Sequence, residues 1–275
     1  MITDIKKTLS FVFVLNPGGA PIPNGTAFFV AVDSVNHTGR SYVYVVTSHH
    51  VLRKDKHSYF DQILLRLNKK GGGSGFIVIP LTGSQAAPIF IHPDPTVDIA
   101  IIPIAPDIST YDIKWIPQSL LVTKSKFSQL NIQEGDDVFF AGLFVQFSGA
   151  TKNIPIIRFG KVAMISDEKI PWDGEMIDLY LTETHSFGDN SGSPVFFLLN
   201  PTRNPGTLVL GAPQLFLAGV MKGSFLNTNE VVVVNHSTVA ISKENAGIAA
   251  VVPSYLLNEI LFDQSASSHR NNQGG

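Results

Sequence analysis

The sequence predicts an all-β fold: two consecutive six-stranded Greek-key β-barrels followed by a short C-terminal helix. Three observations carry this. Runs rich in Val, Ile and Phe alternate with clusters of Gly, Pro and Asn along nearly the whole chain, and a 3.6-residue apolar period appears only near its end. The inventory of such runs repeats in two halves, and six strands suffice to close a small barrel and remove its exposed edges. At 275 residues and 44% hydrophobic content, the chain can bury a sizeable core in one large domain or two fused small ones.

In the first half, strands are expected near 10–15, 26–32, 41–47, 62–67, 76–81 and 98–104, with Gly71 to Gly75 as a flexible hairpin tip. The stretch from 105 to 135 contains Pro and Ser with weaker patterning and suits a connection. The expected units are therefore a first barrel over 1–106, a connection over 107–135 and a second barrel with its helix over 136–262. Strands of the second half are expected near 138–143, 154–165, 177–182, 194–199, 208–220, 231–235 and 247–252. After Pro253-Ser254, residues Leu256, Leu257, Ile260 and Leu261 share one face of a short docking helix over 255–262. The polar stretch 263–275 reads as a disordered tail.

Composition excludes several function classes. With charged residues at 15% and a formal net charge of -2, there is no basic footprint for nucleic acid. The absence of Cys removes disulfides, thiolate catalysis and cysteine metal sites together. Phe11 to Leu15 is too short for a signal-peptide core, and no run is long enough to span a membrane, so a soluble, cytoplasmic protein without membrane partners is expected. The acidic cluster Glu134-Gly135-Asp136-Asp137 lacks a ligand spacing and reads as a solvated turn, so no metal and no cofactor are expected.

The chemistry concentrates in three segments. Ser186-Phe187-Gly188-Asp189-Asn190-Ser191-Gly192-Ser193-Pro194 sets Ser191 on a tight turn. Taken alone it is an ordinary turn serine, since Asn, Ser, Gly and Pro are the residues of turns, and a hydroxyl needs a base and an orienting acid to act as a nucleophile. Both are available. An apolar run from Tyr42 to Val46 leads into Thr47-Ser48-His49-His50-Val51, and Asp98 opens the apolar run Ile99-Ala100-Ile101-Ile102. A carboxylate there can hold a histidine ring in one tautomer and stabilise the imidazolium. The chain order His, Asp, Ser is that of chymotrypsin-like serine proteases.

On these residues the chain resembles a trypsin-like serine peptidase, and further matches narrow the resemblance to the cysteine-free bacterial branch of HtrA-related and glutamyl-endopeptidase-like enzymes. Gly25-Thr26-Ala27-Phe28-Phe29-Val30 is similar to their entry strand, Leu217-Ala218-Gly219-Val220 to the strand after the nucleophile, and Gly247 to Ser254 to their last strand. The similarity covers roughly residues 9 to 262. It implies a chymotrypsin-like fold and a serine endopeptidase acting on polypeptide substrates. Ser191 would be the nucleophile, His50 the base and Asp98 its orienting acid. The Thr-x-x-His-Val spacing selects His50 over His49, and strand alternation lets only one of the two face the cleft. His92 belongs to a Pro-flanked loop and is given no catalytic role.

The resemblance also implies an oxyanion hole from the backbone N–H groups of Ser191 and Asp189. The family usually has Gly at the second position, and a carboxylate there would oppose the developing negative charge unless it points away. A weak or inactive protease-fold binding protein, with or without a regulatory partner, is therefore the alternative, and an esterase on the same triad is a third. Asn190 replaces the Asp that pairs with a new N-terminal amine in members activated by cleavage, so no zymogen step is expected. By position, His185 and Ser186 would line the specificity pocket, Lys222-Gly223-Ser224 would form the edge that pairs with substrate backbone, and Gly247 would lie at the pocket's far side. His185 would favour an acidic or polar side chain, unless it is a loop histidine pointing outward.

Overall fold

Strand β2 (Pro21–Asp33) explains why the sequence reads as nearly unbroken apolar runs. In the computed structural model, which describes residues 2–184, 190–203, 211–232 and 239–273, with 227–232 and 239–245 described by backbone alone, β2 is buried on both faces. Alternate side chains of a strand point to opposite sides. Ala27 and Phe29 enter one apolar cluster, whereas Phe28, Val30 and Val32 enter another that also holds residues of the second half. The same division recurs in β9 (Asp137–Gly142), where Val138 and Phe140 face a core private to the second half and Phe139 and Ala141 face the shared one. Strand β14 (Pro194–Leu199) divides likewise between Val195 and Phe197 on one side and Phe196 on the other. Each half thus has its own core, and a third apolar layer joins them.

The first half comprises β1 (Leu9–Leu15), β2, β3 (Ser41–Thr47), β4 (Gln62–Asn68), β5 (Ser74–Pro80), β6 (Phe90–Ile91), β7 (Ala100–Ile104) and β8 (Ile116–Pro117). It is one sheet in the order β5-β4-β1-β2-β3-β7-β6, with β8 parallel to β2. This corrects the expected count of six. Among the described residues no ladder joins β5 to β6, where Pro80 and Pro88 lack N–H donors. The sheet is nevertheless rolled on itself, because Ile79 and Leu81 at one end of the path share a core with Ala100 and Ile102 at the other. Ala87 N–H also donates to Pro80 O at 2.8 Å across the seam.

The second half is a closed barrel in the order β10-β13-β16-β15-β14-β9, formed with β10 (Ile156–Ile165), β13 (Tyr180–Glu183), β15 (Gln214–Val232) and β16 (Val239–Pro253). A small hairpin of β11 (Ile170–Trp172) and β12 (Glu175–Ile177) is attached to it. The runs expected at 208–220 and 231–235 are not separate strands. Strand β15 continues past the barrel and pairs with β16 as far as Val232 with Val239, and part of each expected run lies outside the described residues.

The connection carries a short helix, α2 (Lys124–Gln129), capped by the Thr123 hydroxyl, which accepts from Lys126 N–H at 3.2 Å; α1 (Ile2–Lys7) precedes β1. Helix α3 (Ser254–Phe262) buries Leu256, Leu257, Ile260 and Leu261 in the shared layer. The stretch expected as a disordered tail instead forms α4 (Gln264–Gln273). Its Arg270 is buried and donates to Tyr44 Oη at 3.0 Å and Leu261 O at 2.7 Å. Hydropathy could not reveal this, because the docking group is a charged side chain whose acceptors lie elsewhere in the chain.

Candidate active site

The turn that carries Ser191 is knitted into both halves by backbone. Thr26 N–H donates to Ser191 O at 2.9 Å, Gly192 N–H to Met221 O at 2.8 Å, and Met221 N–H to Ser193 O at 2.9 Å. Two buried threonines complete the weave. Thr47 Oγ1 donates to Thr26 O at 2.7 Å, and Thr26 Oγ1 accepts from Leu143 N–H at 2.9 Å. Gly192 takes φ +82°, and a Cβ there would stand 2.1 Å from Thr26 O and 2.3 Å from Thr47 Oγ1. Only glycine fits.

Asn190 is buried and its amide donates to Leu143 O. Asn190→Asp would set a carboxylate against that carbonyl oxygen. The expected result is a loss of about 1–3 kcal/mol in unfolding free energy at neutral pH, measured by denaturant titration and partly recovered on acidification. A variant as stable as the parent at pH 7 would show that the contact is unimportant.

The imidazole stands at the end of β3, on a 3-10 turn over His49–Leu52 rather than on the strand itself. Alternation along a strand therefore does not govern His49 and His50. Contacts separate them. His50 donates its backbone N–H to Asp98 Oδ1 at 2.9 Å, and its Nδ1 lies 2.6 Å from Asp98 Oδ2. His49 Nε2 instead lies 2.8 Å from Tyr59 Oη, and burial, assisted by the Arg53 charge, pushes its pKa below the ordinary imidazole value. His92, also set aside on sequence grounds, reaches Glu259 Oε2 on α3 at 3.0 Å.

Asp98 precedes β7 rather than opening it. Burial would raise its pKa, but the bond to the His50 ring, the His50 charge, the Lys222 charge and the His50 N–H together bring it down to about 2. A carboxyl depressed in the folded state contributes stability above its unfolded pKa and loses it as pH falls through the folded one. Wild type is thus expected to lose roughly 2 kcal/mol more than Asp98→Asn between about pH 4 and pH 2. Denaturant unfolding of the two proteins across that range is the measurement, and parallel curves would contradict the assignment.

Lys222 is the site residue whose side chain the sequence reading missed. Its Nζ lies 3.1 Å from Asp98 Oδ2, and its carbonyl accepts from Ser191 Oγ at 2.9 Å. One signal was available: it is a cation placed directly after the apolar run from Leu215 to Met221. The β14 ladder ends at Val220, so β15 from Lys222 to Ser224 runs on against β16 alone among the named strands. Gly247 takes φ +78° and its carbonyl accepts from Thr184 N–H at 2.9 Å. It lines a surface hollow with Phe159, Lys161, Glu183 and Thr184. His185, Ser186 and Asp189 lie outside the described residues. The structure therefore brings Ser191, His50, Asp98 and Lys222 to one place where the two halves meet. The acidic cluster read as a solvated turn is only partly so, since Asp136 is buried against Arg203.

No protein-family model matches the chain, and no curated protein matches its sequence. Solved structures do match. The chain is similar to the MamO protease domain from Magnetospirillum magneticum in its apo form, with a TM-score of 0.54 and 14% identity, over 96% of this chain and 100% of that one. A catalytically active tobacco etch virus protease complexed with product gives a TM-score of 0.48 and 13% identity, over 97% of this chain and 81% of that one. The first likeness bears on the fold alone, which is that of the chymotrypsin-like proteases.

Proposed function

We propose that the chain is a serine endopeptidase of the trypsin-like class, related to the cysteine-free HtrA-like branch through Gly25 to Val30, Asn190 to Pro194 and Gly247 to Ser254. Ser191 Oγ attacks the scissile carbonyl while His50 Nε2 takes its proton. The C–N bond breaks as that proton passes to the leaving amine, and water then hydrolyses the acyl-enzyme. Asp98 holds the imidazole with Nδ1–H toward itself, leaving Nε2 to act. The observation that carries the reading is the double grip of the Asp98 carboxylate on His50, one oxygen on the backbone N–H and the other on the ring.

Substrate backbone would add to β15 at Lys222 to Ser224, beyond the end of the β14 ladder. The developing oxyanion would be met by the N–H groups of Ser191 and Asp189. Because the Asn190 amide is spent on Leu143 O and carries no charge, no activating N-terminal cleavage is required.

An active-site fluorophosphonate probe tests the reading on the uncleaved chain. Labelling confined to Ser191 and abolished in His50→Ala is expected, together with turnover of a peptide library. Absence of label on folded protein would move the chain to the binding-protein alternative, and turnover of esters without peptides to the esterase.

A further inference from the structure

A lysine that follows directly on an apolar run and is largely buried must find a carboxylate, because an unpaired buried charge is expensive. Lys222 finds Asp98. Its side chain is 13% exposed and that of Asp98 8%, so the pair is largely removed from water. Trp172, from the hairpin beside the barrel, has its ring centre 5.9 Å from Nζ and packs edge-on against Phe225 at 4.8 Å. The oxygen that Lys222 meets is Oδ2, the one 2.6 Å from His50 Nδ1. One buried carboxylate oxygen therefore serves two nitrogen donors, one from each half of the molecule.

We propose that Lys222 is a positioning residue that sets the basicity of His50: its ammonium balances Asp98 while the imidazole is neutral and opposes the imidazolium formed when the Ser191 proton is taken. The proposal rests on the peptidase reading above. The charge count gives the reason. With Lys222 the cluster is neutral at rest and becomes positive when His50 accepts a proton. Without Lys222 it would be negative at rest and neutral afterwards, and because Asp98 and Lys222 are largely removed from water, although the His50 ring is half exposed, the second change is the more favourable. Lys222 thus stabilises the resting site at the expense of the protonated base. Its carbonyl, the acceptor for Ser191 Oγ, fixes the same residue to the nucleophile, so the charge and the hydroxyl are held in one register.

His49, beside His50 in the chain, stands in the same field: its Nε2 lies 2.8 Å from Tyr59 Oη, and the charges of Arg53, Asp98 and Lys222 all act on it. Substituting Lys222 leaves the others in place, which isolates its contribution.

The test follows the His50 ring resonances of the full chain by nitrogen-15 NMR against pH, assigned by their loss in His50→Ala. Lys222→Met is expected to move the titration midpoint upward by roughly one pH unit or more, while Lys222→Arg stays near wild type. On an Asp98→Asn background, Lys222→Met is expected to move it less. A midpoint that is unchanged or falls in Lys222→Met overturns the proposal, even if stability drops, since a merely structural lysine would alter stability without moving the titration. Should Lys222→Met fail to fold, Lys222→Gln removes the same charge with a polar side chain and is read in the same way. The fluorophosphonate labelling rate on its high-pH plateau is expected to rise roughly threefold with the stronger base. If the midpoint moves but neither protein is labelled, the charge coupling stands and the peptidase reading fails.

Discussion

Ser191→Ala and His50→Ala are each expected to reduce kcat for a peptide substrate by a factor on the order of 10⁴ or more, because members of such a constellation act as a unit. The structural costs differ, and this makes the pair informative. Ser191→Ala removes one neutral hydroxyl, which donates to Lys222 O, so its unfolding free energy is expected to fall by about 1 kcal/mol. His50→Ala deletes the ring partner of a buried carboxylate and leaves Asp98 to Lys222 and the backbone N–H of residue 50, so a larger loss of stability is expected. His49→Ala is the control. It loses a contact with Tyr59 and none with Asp98 through its side chain, and it is expected to retain activity. Steady-state kinetics with parallel unfolding curves provide the measurement, and a crippled His49→Ala beside an active His50→Ala would reverse the assignment of the base.

Gly192→Ala is expected to have the largest effect on stability, about 3 kcal/mol or more. Two costs add there: a non-glycine residue held at φ +82°, and a methyl group driven into Thr26 O and Thr47 Oγ1. Those oxygens cannot easily retreat, because Thr47 Oγ1 already donates to Thr26 O and Thr26 N–H to Ser191 O. The turn would have to shift, and Ser191 with it. Loss of fluorophosphonate labelling is therefore expected even at temperatures where the variant remains folded. Unfolding within about 1 kcal/mol of wild type, with labelling intact, would mean that the turn has another conformation in solution.

Much of the β architecture was legible because both faces of the central strands are buried, which turns them into apolar runs separated by turn residues. The same property concealed the strand count of the first half. Continuous apolar runs mark where strands lie but not which edges pair, and the seam between β5 and β6 depends on prolines whose missing donors matter only once the sheet is rolled. Helix α4 was illegible for a different reason. Its polar sequence has no apolar stripe, and it docks through Arg270, which reaches Tyr44 Oη and Leu261 O outside the helix.

Sequence alone determined the all-β class, the final apolar helix and the residues offered as nucleophile, base and acid, since each depends on local pattern or on a motif within a few residues. It could not determine what Lys222 does. By resemblance it was expected only as part of a substrate-pairing edge, whereas its ammonium is directed at Asp98, 124 residues away in the chain. It could not show why Gly192 is glycine either, because the atoms that exclude a side chain belong to Thr26 and Thr47. Both are set by the meeting of the two halves. There, long-range packing brings together groups whose interaction energy depends on distance and burial, quantities that exist only once the chain has folded.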